Sequence, residues 1–132
     1  MSYRYSLDQP VRWKDIDSLG ILNNAVYFTL VEQARYGYFT HLELMAGDHF
    51  PFLLGETACR FLRPARVHME LRVTARVTRL GNKSFDMEFE VRCQDALYAQ
   101  ATATLVWIDD RGKSVPIPAT ARSVIAEFEG LD

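Results

Sequence analysis

The sequence predicts a single α+β domain in which an antiparallel sheet of five strands curls around one long helix, with a short helix at the C-terminus. Three observations carry this. A long helical stretch follows the first strand, the segments after it alternate with a period of two, and short turns join those segments. A chain of 132 residues, 48% of them hydrophobic, suffices for one core and is short for two, so residues 1–132 are read as one unit.

Residues 3–13 alternate loosely, with Tyr3, Tyr5 and Leu7 on one side of a pleat until Pro10 interrupts, as a first strand with an irregular end would. The segment DIDSLGILNN (15–24) is then a loop. From Asn24 to Leu44 the chain has no strict period of two, contains no proline and begins at asparagine, a good helix cap, so it reads as one helix about 30 Å long. Its apolar residues, among them Ala25, Tyr27, Phe28, Leu30, Val31, Ala34, Tyr38 and Phe39, cover more than a narrow stripe and predict a helix enclosed around most of its circumference.

After the turn at Ala46-Gly47-Asp48, Thr57–Arg63 reads as a strand stopped by Pro64. Val67, Met69, Leu71, Val73, Ala75 and Val77 alternate with polar residues in the next strand. Phe85, Met87, Phe89, Val91 and Cys93 do so after Gly81-Asn82, and Leu97, Ala99, Ala101, Ala103, Leu105 and Trp107 after Gln94-Asp95. The three alanines leave room for a bulky neighbour, and the long helix is the candidate. Pro116 and Pro118 break the chain before a terminal helix over 119–128. The short turns imply an antiparallel meander, and wrapping it around the helix buries both.

Charge and composition exclude several classes of function. A net charge of −2 and a pI near 5.9 argue against a nucleic-acid partner. The stretch from Ala25 to Leu44 is interrupted by Glu32, Arg35 and His41, which argues against a membrane span. The opening MSYRYSLDQ lacks the apolar core of a signal peptide, and Cys59 and Cys93 show no ligand spacing, so a reducing cytoplasm is expected. His41, His49 and His68 lack metal-ligand spacing, and no metal site is expected.

Four blocks carry a likeness to known proteins: VRWKDIDSLGILNNAVYFTLVEQAR at 11–35, RFLRPARV at 60–67, LGNKSF at 80–85 and GKSVPIP at 112–118. Over nearly its whole length the chain resembles the hotdog-fold acyl-CoA thioesterases, the group that includes 4-hydroxybenzoyl-CoA thioesterase and its YbgC- and FadM-like relatives. The resemblance implies hydrolysis of an acyl-CoA to free acid and coenzyme A, with no cofactor, since coenzyme A is part of the substrate. It also implies a homodimer, commonly a dimer of dimers, with each active site at the subunit interface. The catalytic carboxylate maps to Asp17, the backbone N–H that polarises the thioester carbonyl to Asn24, and the turn between them to Gly20.

Elementary chemistry is consistent with that mapping. Thioester hydrolysis needs stabilisation of the developing oxyanion, and unpaired N–H groups at a helix N-terminus supply it. An ionised aspartate acts on water as general base or attacks the carbonyl to form a mixed anhydride. A thiolate leaves readily, so no Ser-His pair is required, and no G-x-S-x-G elbow occurs. The chain has Ile21 where many FadM-like relatives have His. Leu22 stands five residues after Asp17, where hotdog hydratases resemble one another in a catalytic His, which disfavours dehydration chemistry.

The remaining candidates are substrate-binding residues. Asn23 and Asn24 are potential N-caps, Tyr27 follows on the helix, and Glu32 lies three residues before Arg35. A carboxylate on a largely buried helix is costly without a partner or a task, which makes Glu32 a second site candidate. Arg60, Lys83 and Ser84 are the candidates for coenzyme A phosphates, Lys83 and Ser84 through the block that resembles the family's LGxKS. Two other functions fit the same residues: a non-catalytic acyl- or acyl-CoA-binding dimer, and hydrolysis of acyl carrier protein thioesters. The sequence shows no distinctive basic patch for docking a carrier protein.

Overall fold

In the computed structural model, which describes residues 3–131, β1 (Tyr5–Pro10) leads through a 3-10 turn at Trp13–Asp15 to helix α1 (Asn24–His41). Strands β2 (Phe52–Phe61), β3 (Glu70–Leu80), β4 (Ser84–Cys93) and β5 (Ala96–Trp107) follow, and α2 (Ala119–Glu129) ends the chain. Residues 1–2 and 132 of the expected domain lie outside the described residues.

All five strands form one antiparallel sheet in the order β1-β3-β4-β5-β2. The meander holds for β3, β4 and β5. It fails for β2, which does not pair with β3 but crosses to the far edge and lies against β5, with Thr57 opposite Ala103 and Phe61 opposite Ala99. Strand β2 also begins earlier than expected, at Phe52, because a register shift at Gly55 interrupts the alternation that would mark it.

One sheet face is apolar and meets α1. Leu71, Val73, Ala75, Val77, Phe85, Met87, Phe89, Val91, Ala99, Ala101, Ala103 and Leu105 are buried and form one core with Tyr27, Leu30, Val31, Ala34, Tyr38 and Phe39 of the helix. The opposite face carries ion pairs, such as Arg76 with Glu88 at 2.7 Å and Arg79 with Asp86 at 2.7 Å. Tyr3 does not share a side with Tyr5 and Leu7. The strand starts only at Tyr5, after a bend, and the Tyr3 ring lies on the outer face under the Arg76 guanidinium, 4.4 Å away.

Helix α1 stops three residues before the expected Leu44. Leu42 closes it and Glu43 takes a left-handed φ of 59°, so that Leu44 N–H returns to Phe39 O at 2.9 Å. The helix is also less enclosed than its composition implies, since Phe28, Glu32 and Tyr36 are exposed along one open side next to edge strand β2. Helix α2 is pinned by Glu129, whose carboxylate accepts from Tyr38 Oη at 2.6 Å and from Val77 N at 2.9 Å.

Candidate active site

The loop ahead of α1 is built by two aspartates with different tasks. Asp15 is buried, and its carboxylate accepts the Arg12 guanidinium from Nε and Nη2, each at 3.0 Å, and the Arg12 backbone N–H at 3.0 Å. These bonds hold its carboxyl below the usual carboxylate range. Its backbone carbonyl accepts from Asn23 N–H at 2.9 Å, which fixes where the helix begins. Asp17 is half-buried, and its Oδ1 accepts from Leu19 N at 2.8 Å and Ile21 N at 3.4 Å. The loop turns back through Gly20, whose φ of +79° favours glycine and whose N–H donates to Asp17 O at 3.0 Å. Asp17 forms no ion pair among the described residues.

At the helix start Asn23 is the cap, with Oδ1 accepting from Ala25 N at 2.9 Å. Val26 N donates to Asn23 O at 2.9 Å. The Asn24 N–H is thereby left as the first-turn donor with no acceptor among the described residues. Asn24 lines a cavity of about 220 Å³ with Ile21, Leu22, Tyr27, Phe61, Leu62, Arg63 and Pro64. Asp17 is not among the residues that line it. Tyr27 is buried, stands edge-on to Phe61 at 5.2 Å and donates from Oη to Arg63 O at 3.4 Å, and burial raises its hydroxyl pKa.

The other sequence candidates lie apart from this cavity. Glu32 is 58% exposed on the open side of α1, with Oε2 3.9 Å from Nη2 of Arg35. Arg35 is the more unusual group. It is buried, its Nε has no hydrogen-bond partner among the described residues, and its Cζ lies 5.6 Å from the centre of the Phe50 ring. Burial lowers its pKa, with Glu32 opposing. Both line a second cavity of about 170 Å³ with Phe28, Val31, Leu54 and Thr57. Arg60 is exposed on the outer sheet face, in register with Gln100. Lys83 and Ser84 sit at the other end of the sheet: Ser84 pairs with Val106 while Phe61 pairs with Ala99, a separation along β5 of about 23 Å at the rise of a strand.

The sequence reading missed Leu62 and Pro64 as cavity walls. The signal was the 60–67 block itself, whose chain path brings Ala65 O to Leu22 N at 2.8 Å and so closes the loop onto the helix start. Among the described residues no three His, Cys, Asp or Glu side chains converge to hold a metal, and no helix is long and apolar enough to cross a membrane.

The thioesterase-like superfamily model matches residues 11–126. A thioesterase of Thermus thermophilus, solved with coenzyme A and zinc, is similar at a TM-score of 0.89 and 30% identity, covering 98% of each chain. The chloroplastic acyl-acyl carrier protein thioesterase ATL3 of Arabidopsis thaliana is 27% identical over 97% of this chain and 70% of its own length. A 1,4-dihydroxy-2-naphthoyl-CoA thioesterase of Synechocystis has the same fold, at a TM-score of 0.83 and 18% identity over 93% of this chain and 96% of its own. With the sheet, the central helix and the helix-start cavity already in place, these matches make the chain a hotdog-fold thioesterase, a member of the thioesterase-like superfamily.

Proposed function

We propose that the protein hydrolyses acyl-CoA thioesters, with Asn24 N–H as the oxyanion donor and Asp17 as general base or nucleophile. The observation that carries this is that Asn24, whose N–H has no acceptor among the described residues, lines a cavity at the positive end of α1, where the adjacent first-turn donors are already occupied. The thioester carbonyl oxygen accepts from that N–H. Either Asp17 takes a proton from a water whose oxygen attacks the carbonyl carbon, or its own oxygen attacks and water later opens the anhydride. In both routes the carbon–sulfur bond breaks and coenzyme A leaves as thiolate. Asp17 has one carboxylate oxygen free of backbone amides for this task.

The catalytic unit in this proposal is a homodimer joined along β2. That edge strand carries Leu53 and Leu54 with their side chains about half exposed, beside exposed Phe28 and Tyr36, and its Leu54 and Thr57 share a cavity with Arg35, whose buried Nε has no acceptor among the described residues and whose ion pair with Glu32 is long at 3.9 Å. A buried guanidinium so weakly matched is costly, and a second chain on this side would supply acceptors. The partner also walls the Asn24 cavity and brings a carboxylate to it, which accounts for the distance of Asp17 from the lining in one chain. The other edge, β1, is short and ends in Pro10, a poor template for pairing.

Free-thiol release from a panel of acyl-CoAs tests this. Asp17→Asn lowers kcat by about 10²- to 10⁴-fold in the proposed scheme, and equal rates for the two proteins would eliminate the mechanism. No turnover of any ester would favour an acyl-binding dimer. A second reading, hydrolysis of acyl carrier protein thioesters, is favoured by the Arabidopsis relative; the same assay with the acyl group on a carrier protein decides between them.

A further inference from the structure

Ion pairs among the described residues are short, with one exception. Arg12, Arg72, Arg76, Arg79 and Arg92 each meet a carboxylate at 2.7–3.0 Å. Arg35 and Glu32 stand 3.9 Å apart, beyond hydrogen-bond reach, although Arg35 is the most deeply buried of these cations, with 4% of its side chain exposed against 58% for Glu32. The Nε of Arg35 has no partner among the described residues, and the two side chains are the only charged groups lining their cavity. A guanidinium taken out of water with donors unmet is costly, so the fold leaves a demand for acceptors at this point.

Glu32 meanwhile stands in an apolar line. Phe28 and Tyr36, one turn before and after it on α1, are exposed, and so is Leu54 of edge strand β2 across the cavity. Burying so apolar a face is favourable, but it takes Glu32 out of water unless a cation comes with the cover. A second copy brings one. In a twofold contact, where one residue touches another of the partner the reverse contact also forms, so a face with one acid and one base satisfies both copies at once.

We propose that this face of α1 joins two copies through reciprocal ion pairs, Glu32 of each with Arg35 of the other. The pairing rests on the homodimer of the reading above and supplies its missing acceptor: the Arg35 cavity is incomplete in one chain and is completed by the carboxylate of the second. Two such pairs also fix which residues of the helices face each other, where leucines and aromatic rings alone would let the copies slide. Glu32 lies eight residues from Asn24, about 12 Å along the helix, so the same pairs set where the start of α1 sits against the partner.

Charge reversal in trans tests this. Glu32→Arg leaves a chain with two cations on the face and Arg35→Glu one with two anions, so each variant repels its own kind. Mixed, they place a cation opposite an anion at both contacts. A pairing confined to one chain gains nothing from mixing, because like charges stay side by side within each copy. The two variants are co-expressed with different tags, the dimers are sorted by tag, and circular dichroism checks the fold. Heterodimer is expected at tenfold or more over the two homodimers together. Glu32→Gln, at an exposed position, carries the test where Arg35→Glu does not fold, and is expected to raise the dimer dissociation constant about 10- to 100-fold in sedimentation. Statistical mixing of the tags, or a dissociation constant indifferent to Glu32→Gln, overturns the proposal and leaves the homodimer standing. A wild-type chain that sediments as a monomer while it hydrolyses thioesters overturns the homodimer, and the pairing with it.

Discussion

Replacing Asp15 with Asn keeps the shape of the side chain that clamps the loop before α1 and removes its charge. The carboxylate is 4% exposed and accepts three bonds from Arg12, all at 3.0 Å, two of them from the guanidinium. A hydrogen bond to a charged group contributes about 1.5–3 kcal/mol, and the amide turns one accepting oxygen into a donor facing the guanidinium. Arg12 is 55% exposed, so solvent screens the pair and the lower part of the range applies. The expected loss is about 2 kcal/mol at neutral pH, or a fall in Tm of roughly 6–8 °C for a chain of this size. The pH dependence has a definite sign. Arg12 lowers the Asp15 carboxyl in the folded state. The stability it adds is therefore complete above the ordinary aspartate value near 3.9 and fades as pH falls from there through the depressed folded value. Thermal unfolding of wild type and Asp15→Asn, followed by circular dichroism from pH 7 to about pH 2, checks both points. Identical Tm values at neutral pH, or a gap that stays constant into acid, would refute this account of the loop.

Other substitutions probe the same framework. Asn23→Ala removes the acceptor of Ala25 N–H and should cost about 1 kcal/mol in denaturant unfolding, while Asn23→Asp keeps most of that stability. Tyr38→Phe removes the hydroxyl that donates to Glu129 at 2.6 Å; a loss of about 1–2 kcal/mol is expected, with faster hydrogen exchange in α2.

Regular parts of this fold are legible in sequence because periodicity is local. The alternation of Leu71, Val73, Ala75 and Val77, and of Phe85, Met87, Phe89 and Val91, survives intact in the buried face. The position of β2 is not legible, since it depends on pairing Thr57 with Ala103 across the whole domain and the Gly55 irregularity blurs its own pattern. Tyr3 leaves the expected side for a similar reason: a bend at Arg4 and a cation on the opposite face outweigh alternation in a strand end. At the site, the contiguous stretch from Asp15 to Asn24 reveals itself because turn, cap and helix start are neighbours in the chain. The cavity wall at Phe61, Leu62 and Pro64 arises only when distant loops meet. Charge points to Arg60 and the LGNKSF block to Lys83 and Ser84, and neither signal says which face or which end of the sheet a residue occupies: Arg60 lies beside Phe61 but on the outer face, Ser84 at the opposite end.

The unpaired edge at β2 reaches beyond architecture. In the proposed dimer that edge, a strand of ten residues carrying the half-exposed Leu53 and Leu54, ties catalytic competence to encounter between copies. The proposal then expects turnover per chain to fall on dilution as pairs dissociate, and a proline placed mid-strand at the edge to mimic extreme dilution.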